Sequence, residues 1–112
     1  SAAAGIAALE IVTETDACQR ASQYANRLRD ALQDVVLKEK IPWCVYGEFS
    51  GFHIYTNPER EPIRIEEIRS GQFDYRKIKA AAGSPAAKKL RLGMLAHGVD
   101  IFGWPGGPTS AT

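Results

Sequence analysis

Few residues of this chain are equipped for chemistry. His53 and His97 are its two imidazoles, the side chains whose unperturbed titration falls near neutrality. His97 stands in the last turn of a predicted helix, where a cation complements the macrodipole. His53 stands in a β-rich run, with no Cys or Asp at a spacing that would make it a nucleophile's base or a metal ligand. Cys18 and Cys44 fall in a predicted helix and a predicted strand, match no metal-ligand spacing, and are too few to staple a domain. They read as buried or half-buried free thiols, which suits a reducing cytosol. No Ser-centred elbow, phosphate-binding glycine motif or metal motif occurs. What remains is Trp104-Pro105-Gly106-Gly107-Pro108, where backbone N–H groups in a turn can cradle an anion, or which is simply a tight surface connection. Lys88, Lys89 and Arg91 make either a basic patch or the solvated face of a helix.

The elements that position these residues follow from periodicity. Ser1 to Val12 is small or apolar almost throughout, with good helix formers apart from Gly5. A helix apolar on nearly every side expects cover all round, either as a core helix or as a connection to a further domain. Thr13 or Thr15 is a plausible N-cap for a long second helix running to about Lys40. Its positions Ala21, Tyr24, Ala25, Leu28, Leu32, Val35 and Val36 keep helical spacing, and Arg20, Arg27, Arg29, Asp30, Asp34 and Lys38 read as its solvated face. Ile41-Pro42 ends it.

Trp43 to Phe49 and Phe52 to Thr56 are β-rich, separated by Ser50-Gly51, and predict a hairpin. Alternation puts Phe52 and Ile54 on one face and His53 and Tyr55 on the other. Asn57-Pro58-Glu59 is a turn. Arg60 to Ser70 reads as a charged surface excursion with a helical turn near Glu66. A short helix follows over Phe73 to Ala82, capped by Asp74 and broken by Gly83-Ser84-Pro85. Ala86 to His97 is the last helix, with Leu90, Met94 and Leu95 on one side and Gly98 as its C′ residue. Val99 to Phe102 predicts a short buried strand, and Gly103 to Thr112 a loop. Segregated strands with helices over one face give a two-layer α+β domain.

Composition bounds the answer further. A chain of 112 residues suits one domain. With 45% hydrophobic and 24% charged residues it is an ordinary globular sequence. A formal net charge of +1, with the two signs intermixed, points to neither a nucleic acid nor an anionic membrane. No apolar run reaches the roughly 20 residues of a membrane span.

Three segments taken in order carry a resemblance: AAAGIAALEIV, FSGFHIYTNP and KLRLGMLAHGVDIFGWPGGPTSAT. Together they resemble the C-terminal small domain of class III pyridoxal-phosphate-dependent aminotransferases, nearest to the glutamate-1-semialdehyde aminomutase-like branch. In that family an Ala-rich helix joins the large domain to the small one. A glycine-containing hairpin follows, and a helix then runs into a G-V-x-apolar segment and a substrate-side loop. The resemblance implies a cytoplasmic, dimeric fold-type I enzyme acting on a small amino-acid, keto or aldehyde substrate. It further implies a pyridoxal 5′-phosphate cofactor bound by a large domain upstream of Ser1, and a terminal helix beyond Thr112. Residues 1–12 become the connecting helix and 13–112 the small-domain body. No catalytic, cofactor or metal residue is expected in this chain: none of Lys38, Lys40, Lys77, Lys79, Lys88 and Lys89 stands in the context of the Schiff-base lysine. Ser50, Gly51, Phe52, Trp104, Gly106 and Gly107 are the expected substrate-side positions, with Trp104 an apolar wall. Strict aminomutases carry a glutamate in the last loop and this chain has none, a departure that bears on aminomutation and leaves aminotransferase chemistry open. A non-enzymatic α+β binding or dimerisation module, with Ser1 to Val12 as its interface helix, is the alternative.

Overall fold

A computed structural model describes residues 1–110; Ala111 and Thr112, the end of the predicted terminal loop, lie outside them. The order is α1 (Ala2–Glu14), α2 (Ala17–Lys38), β1 (Cys44–Tyr46), β2 (Gly51–Tyr55), α3 (Ile65–Arg69), α4 (Tyr75–Ala81), α5 (Pro85–Ala96) and β3 (Gly106–Pro108). The three strands form one antiparallel sheet in the order β1-β2-β3. The domain is α+β, as the pattern predicts.

The sheet is covered on both faces rather than one. Val45 and Ile54 pack with Val36, flanked by Leu32, Ile41, Trp43 and Leu90, so α2 and α5 share that side. Cys44 and Tyr55 face the other way, against Ile68 and Ala81, with Tyr46, Ile63, Ile65, Phe73 and Ile78 around them. The strands are apolar on both faces, and each face needs its own cover. The stretch Arg60 to Ser70 supplies part of that cover through Ile63, Ile65 and Ile68, so it is more than a surface excursion. His53 sides with Tyr46, and Tyr55 meets Phe73 edge-on, while Ile54 faces α2. The alternation within β2 therefore holds.

Local chemistry explains the helix limits. Asp74 accepts from Arg76 N at 2.9 Å and starts α4. Ser84 accepts from Ala87 N at 3.2 Å, with Pro85 at the first helical position of α5. Gly98 N and Val99 N donate to Leu95 O and Met94 O, both at 3.0 Å, closing α5 in a Schellman turn with Gly98 at φ +84°. Near the N-terminus the boundary moves. The first helix runs on to Glu14, because Thr13 and Thr15 turn their hydroxyls back to Leu9 O at 2.9 Å and Ile11 O at 2.6 Å. Thr13 is therefore helical and caps nothing. Asp16 precedes α2 without a side-chain cap bond.

Two strand expectations change. The hairpin connection is Gly47 to Ser50 rather than Ser50-Gly51, so Gly51 opens β2. Val99 to Phe102 is not a strand; the third strand is the Gly106-Gly107-Pro108 segment expected to be loop. Once the Schellman turn redirects the chain at Gly98, Ile101 is buried. Phe102 N then donates to Gly106 O at 3.4 Å, folding the chain back on itself before it can pair with β2.

Candidate functional site

The β2–β3 register sets Gly51 opposite Pro108, Phe52 opposite Gly107 and His53 opposite Gly106. Two stretches some fifty residues apart thus meet side by side. Ile54 N donates to Pro105 O at 2.9 Å and Thr109 N to Ser50 O at 2.7 Å, so the pairing is held at both ends. Thr109 Oγ1 lies 2.9 Å from Ala21 O and 3.0 Å from Ser50 O, tying the strand to α2. Of the six expected positions, Ser50, Gly51, Phe52, Gly106 and Gly107 come together in this ladder. Trp104 stands beside it, its ring centroid 6.1 Å from that of His53.

Gly106 is required by sterics. Its φ is +147°, and a Cβ there would lie 2.2 Å from Phe52 O and 2.7 Å from His53 Nδ1. Gly107 lies beneath the Phe102 ring, 3.1 Å from where its own Cβ would sit. This is extended backbone turned toward β2, so the anion-cradling turn considered for these glycines does not form.

A hollow of about 590 Å³ opens over the ladder, lined by Gly51, His53, Phe102, Gly103, Trp104 and the β3 backbone. A neighbouring hollow of about 460 Å³ shares Phe102, Gly103 and β3, and adds Arg91 and Asp100. Arg91 Nε donates to Asp100 Oδ1 at 3.1 Å, so the two charges neutralise each other at its rim. Trp104 is half-exposed and Phe102 more so, while Pro105 between their loop and the sheet is fully buried.

His53 is the polar group of the site. Tyr46 backs it at 5.4 Å between ring centroids. Its Nδ1 is sealed from solvent and has no hydrogen-bond partner among the described residues. Burial lowers its pKa below the ordinary histidine value, keeping the ring neutral. Burial raises the Tyr46 phenol and Cys44 adds to the rise, opposed by a hydrogen bond with the Trp104 side chain. Tyr46, His53 and Trp104 thus form one aromatic group.

The other chemistry-bearing residues lie elsewhere. His97 Nδ1 is 2.8 Å from Gly93 O on its own helix, a structural role. Cys44 is buried and its thiol is pushed up to about 11, mainly by desolvation, with Arg69 opposing and Glu66 adding. Cys18 is exposed on α2 rather than half-buried. Among the described residues no group of three or more His, Cys, Asp or Glu side chains converges as a metal site requires, and no helix is long and apolar enough to cross a membrane.

Sequence reading misses Tyr46, Phe102 and Arg29. Tyr46 is set opposite His53 by a register that the hairpin length decides. Phe102 enters the site because its segment turns back instead of forming a strand. Arg29, placed on the solvated face by its charge, is buried and donates to Phe49 O at 3.2 Å and to Gly51 O and Asn26 Oδ1. It fixes the hairpin tip, where Phe49 sits at φ +48°.

Comparisons with protein-family models, with curated proteins and with solved structures return no match to this chain.

Proposed function

We propose that this chain is the small domain of a pyridoxal-phosphate-dependent aminotransferase or aminomutase, and that its β2–β3 ladder and the Phe102 to Pro108 loop form the wall over the substrate. The observation that carries this is the pairing itself. The two segments assigned to the substrate side by resemblance, Ser50 to Phe52 and Trp104 to Gly107, are widely separated in sequence and lie together beside one apolar hollow.

The residues present do not fit the cofactor. No lysine lines either hollow, and the one cation there, Arg91, is engaged by Asp100. In this reading the cofactor's anchorage belongs to a large domain of the same enzyme, and this chain's part is to shape the pocket and exclude water. Trp104 and Phe102 supply apolar walls, while Gly106 lets β3 lie close against β2 and Gly107 lets the Phe102 ring lie over the strand. Cytoplasmic location and a homodimeric assembly belong to the same reading.

The test uses the intact protein purified from its source. A visible chromophore fixed to a lysine by borohydride is the expected result, together with amine transfer to a carbonyl acceptor. Replacing Trp104 by Ala should then raise KM several-fold with kcat less affected, a loss of apolar contact worth about 1 kcal/mol. A protein without a chromophore would sink the reading. In its place would stand a non-enzymatic interaction module, which the wholly exposed apolar surface of α1 favours.

A further inference from the structure

We infer that β3 and the loop before it form a strap that acid releases: a proton taken up at His53 Nδ1 lifts Gly106 from β2, while the β1–β2 hairpin stays folded. This goes beyond the reading above and does not rest on it, since it follows from how three strands pack.

The seal comes first. His53 is the middle member of a row, with Tyr46 opposite it on β1 and Gly106 opposite it on β3. A Cβ at Gly106 would stand 2.7 Å from His53 Nδ1, so the glycine backbone lies close over that nitrogen. Nδ1 is closed to solvent and has no hydrogen-bond partner among the described residues. A neutral ring tolerates this by leaving a lone pair empty there. An imidazolium does not, because both its nitrogens carry protons and a charged, buried N–H needs an acceptor. With β3 seated none reaches it; with β3 lifted, water does.

No neighbouring charge relieves the imidazolium. From β1 it meets the Tyr46 phenol, whose pKa burial raises, and beyond it Cys44, a thiol raised to about 11. Arg69 and Glu66 of α3 act on that thiol with opposite signs. From the strap it meets the Trp104 indole, which does not titrate in this range. Arg91 and Asp100 pair with each other in the hollow beside Phe52, the strand neighbour on the other face. Desolvation is what bears on His53, and it holds the pKa below the ordinary value.

The strap is the part that yields. From Phe102 to Trp104 the side chains are exposed, and Pro105 alone among those up to Pro108 is buried. The segment is fixed at its ends, by buried Ile101 and by Thr109, whose Oγ1 lies 2.9 Å from Ala21 O. The hairpin is held by other groups. Its two faces carry separate clusters, Val45 N donates to Gln33 Oε1 at 2.8 Å, and Arg29 serves the tip carbonyls. None of these belongs to the strap.

Linkage gives the sign. Seated, His53 titrates below the ordinary histidine value of about 6.5; lifted, it titrates near that value. The lifted form binds the proton more tightly, so the strap is seated above about pH 6.5 and lost as pH falls through the seated pKa. One proton raises the opening constant by at most about tenfold per pH unit.

The test follows amide protection factors in the protein from about pH 7.5 to about pH 5, with intrinsic exchange divided out. Ile54 N and Thr109 N, which donate to Pro105 O and Ser50 O, report the strap, and Val45 N reports the hairpin. We expect the two strap amides to lose protection together, by up to about tenfold per pH unit, while Val45 keeps its own. The Trp104 indole resonance should move with the same midpoint. In His53→Phe the strap amides should stay protected throughout. Gly106→Ala, whose Cβ would run into Phe52 O, should leave them unprotected at every pH with Val45 still protected. Should His53→Phe not fold, the His53 ring titration in the unaltered protein decides, since its midpoint must coincide with strap opening. Strap amides that stay protected below that midpoint, Val45 opening along with them, or a pH dependence that survives in His53→Phe overturns the inference.

Discussion

Helices α1 and α2 are separated only by Thr15 and Asp16, and their burial runs against their composition. α1 is almost wholly apolar and buries nothing: Ile6, Leu9, Ile11 and Val12 are all about half-exposed or more. α2 carries charge along much of its length and buries Arg29 and Gln33 beside Ala21, Ala25 and Val36. What decides burial is the surface a helix meets. α2 crosses the β1–β2 hairpin, whose backbone groups at the edge and tip need partners. Val45, opposite Ile54 on edge strand β1, has its N–H taken by Gln33 Oε1 at 2.8 Å and its carbonyl by Arg69 at 3.4 Å. Arg29 serves the carbonyls of Phe49 and Gly51 at the tip. The polar side chains are inside because the backbone there is polar.

Arg29 tests this most severely. Arg29→Met keeps much of the stem's packing but leaves two carbonyls at the hairpin tip without their donor. It should cost about 3 kcal/mol, the upper end for hydrogen bonds to a charged group. The urea midpoint should fall with little change in slope. Arg29→Lys should recover only part, since one ammonium lacks the planar fork that reaches Phe49, Gly51 and Asn26 together. A midpoint unchanged in Arg29→Met would mean that the buried guanidinium holds nothing, and the contrast with α1 would lose its cause.

Gln33 comes next in size. Gln33→Met leaves the Val45 N–H without an acceptor and should cost about 1–2 kcal/mol, read from the same denaturation curves. Gln33→Glu retains an oxygen at the same reach and should recover part of the loss. Equal losses in the two variants would show that side-chain volume matters there and the hydrogen bond does not.

His53 is the counter-case, polar and unsatisfied. Its burial-lowered pKa means that the unfolded chain takes up a proton first as pH falls. The protein should therefore be most stable above the unfolded histidine value of about 6.5, and lose stability as pH falls below it through the folded pKa. His53→Phe should flatten that part of the profile and cost less than 1 kcal/mol at neutral pH, because no protein hydrogen bond is lost. A stability profile between pH 7 and 5 that is the same in both proteins would remove the desolvated imidazole.

Much of this fold is legible in residue types, and its failures share one cause. Asp74 and Gly98 mark helix ends through local bonds, and Pro85, read as part of a break, is instead the first residue of α5. The alternation of Ile54 against His53 and Tyr55 reads directly from the strand pleat. A Gly-Gly-Pro strand does not, because nothing local favours it; β3 exists because β2 offers it a ladder. Val99 to Phe102 has the β-rich composition and lacks the partner. Arg29 fails in the same way, since only a distant hairpin tip gives a charged residue reason to be inside. At the candidate site, the six expected positions are adjacent in space, whereas His53's lining role and the Tyr46 and Phe102 neighbours depend on register.

α1 gives the smallest effect and the sharpest end to the comparison. Its bonds are local: Ser1 Oγ accepts from Ala4 N at 3.4 Å, Thr13 and Thr15 return to carbonyls of the preceding turn, and Thr15 Oγ1 accepts from Ala17 N at 3.3 Å at the start of α2. A helix of 13 residues without tertiary burial is marginal in water. Leu9→Ser should therefore change the stability of this chain by less than about 0.5 kcal/mol, and α1 amides should exchange far faster than those of α2. The same substitution in a polypeptide where another domain or a second copy covers α1 should cost about 2 kcal/mol, since a buried Leu side chain is lost there. Strong protection of α1 in the chain alone, rising with protein concentration, would show self-association through this helix and favour the interaction-module reading over a connecting helix. Fast exchange at every concentration, with protection only in a polypeptide where a further domain lies against α1, would give the helix the cover that its composition demands.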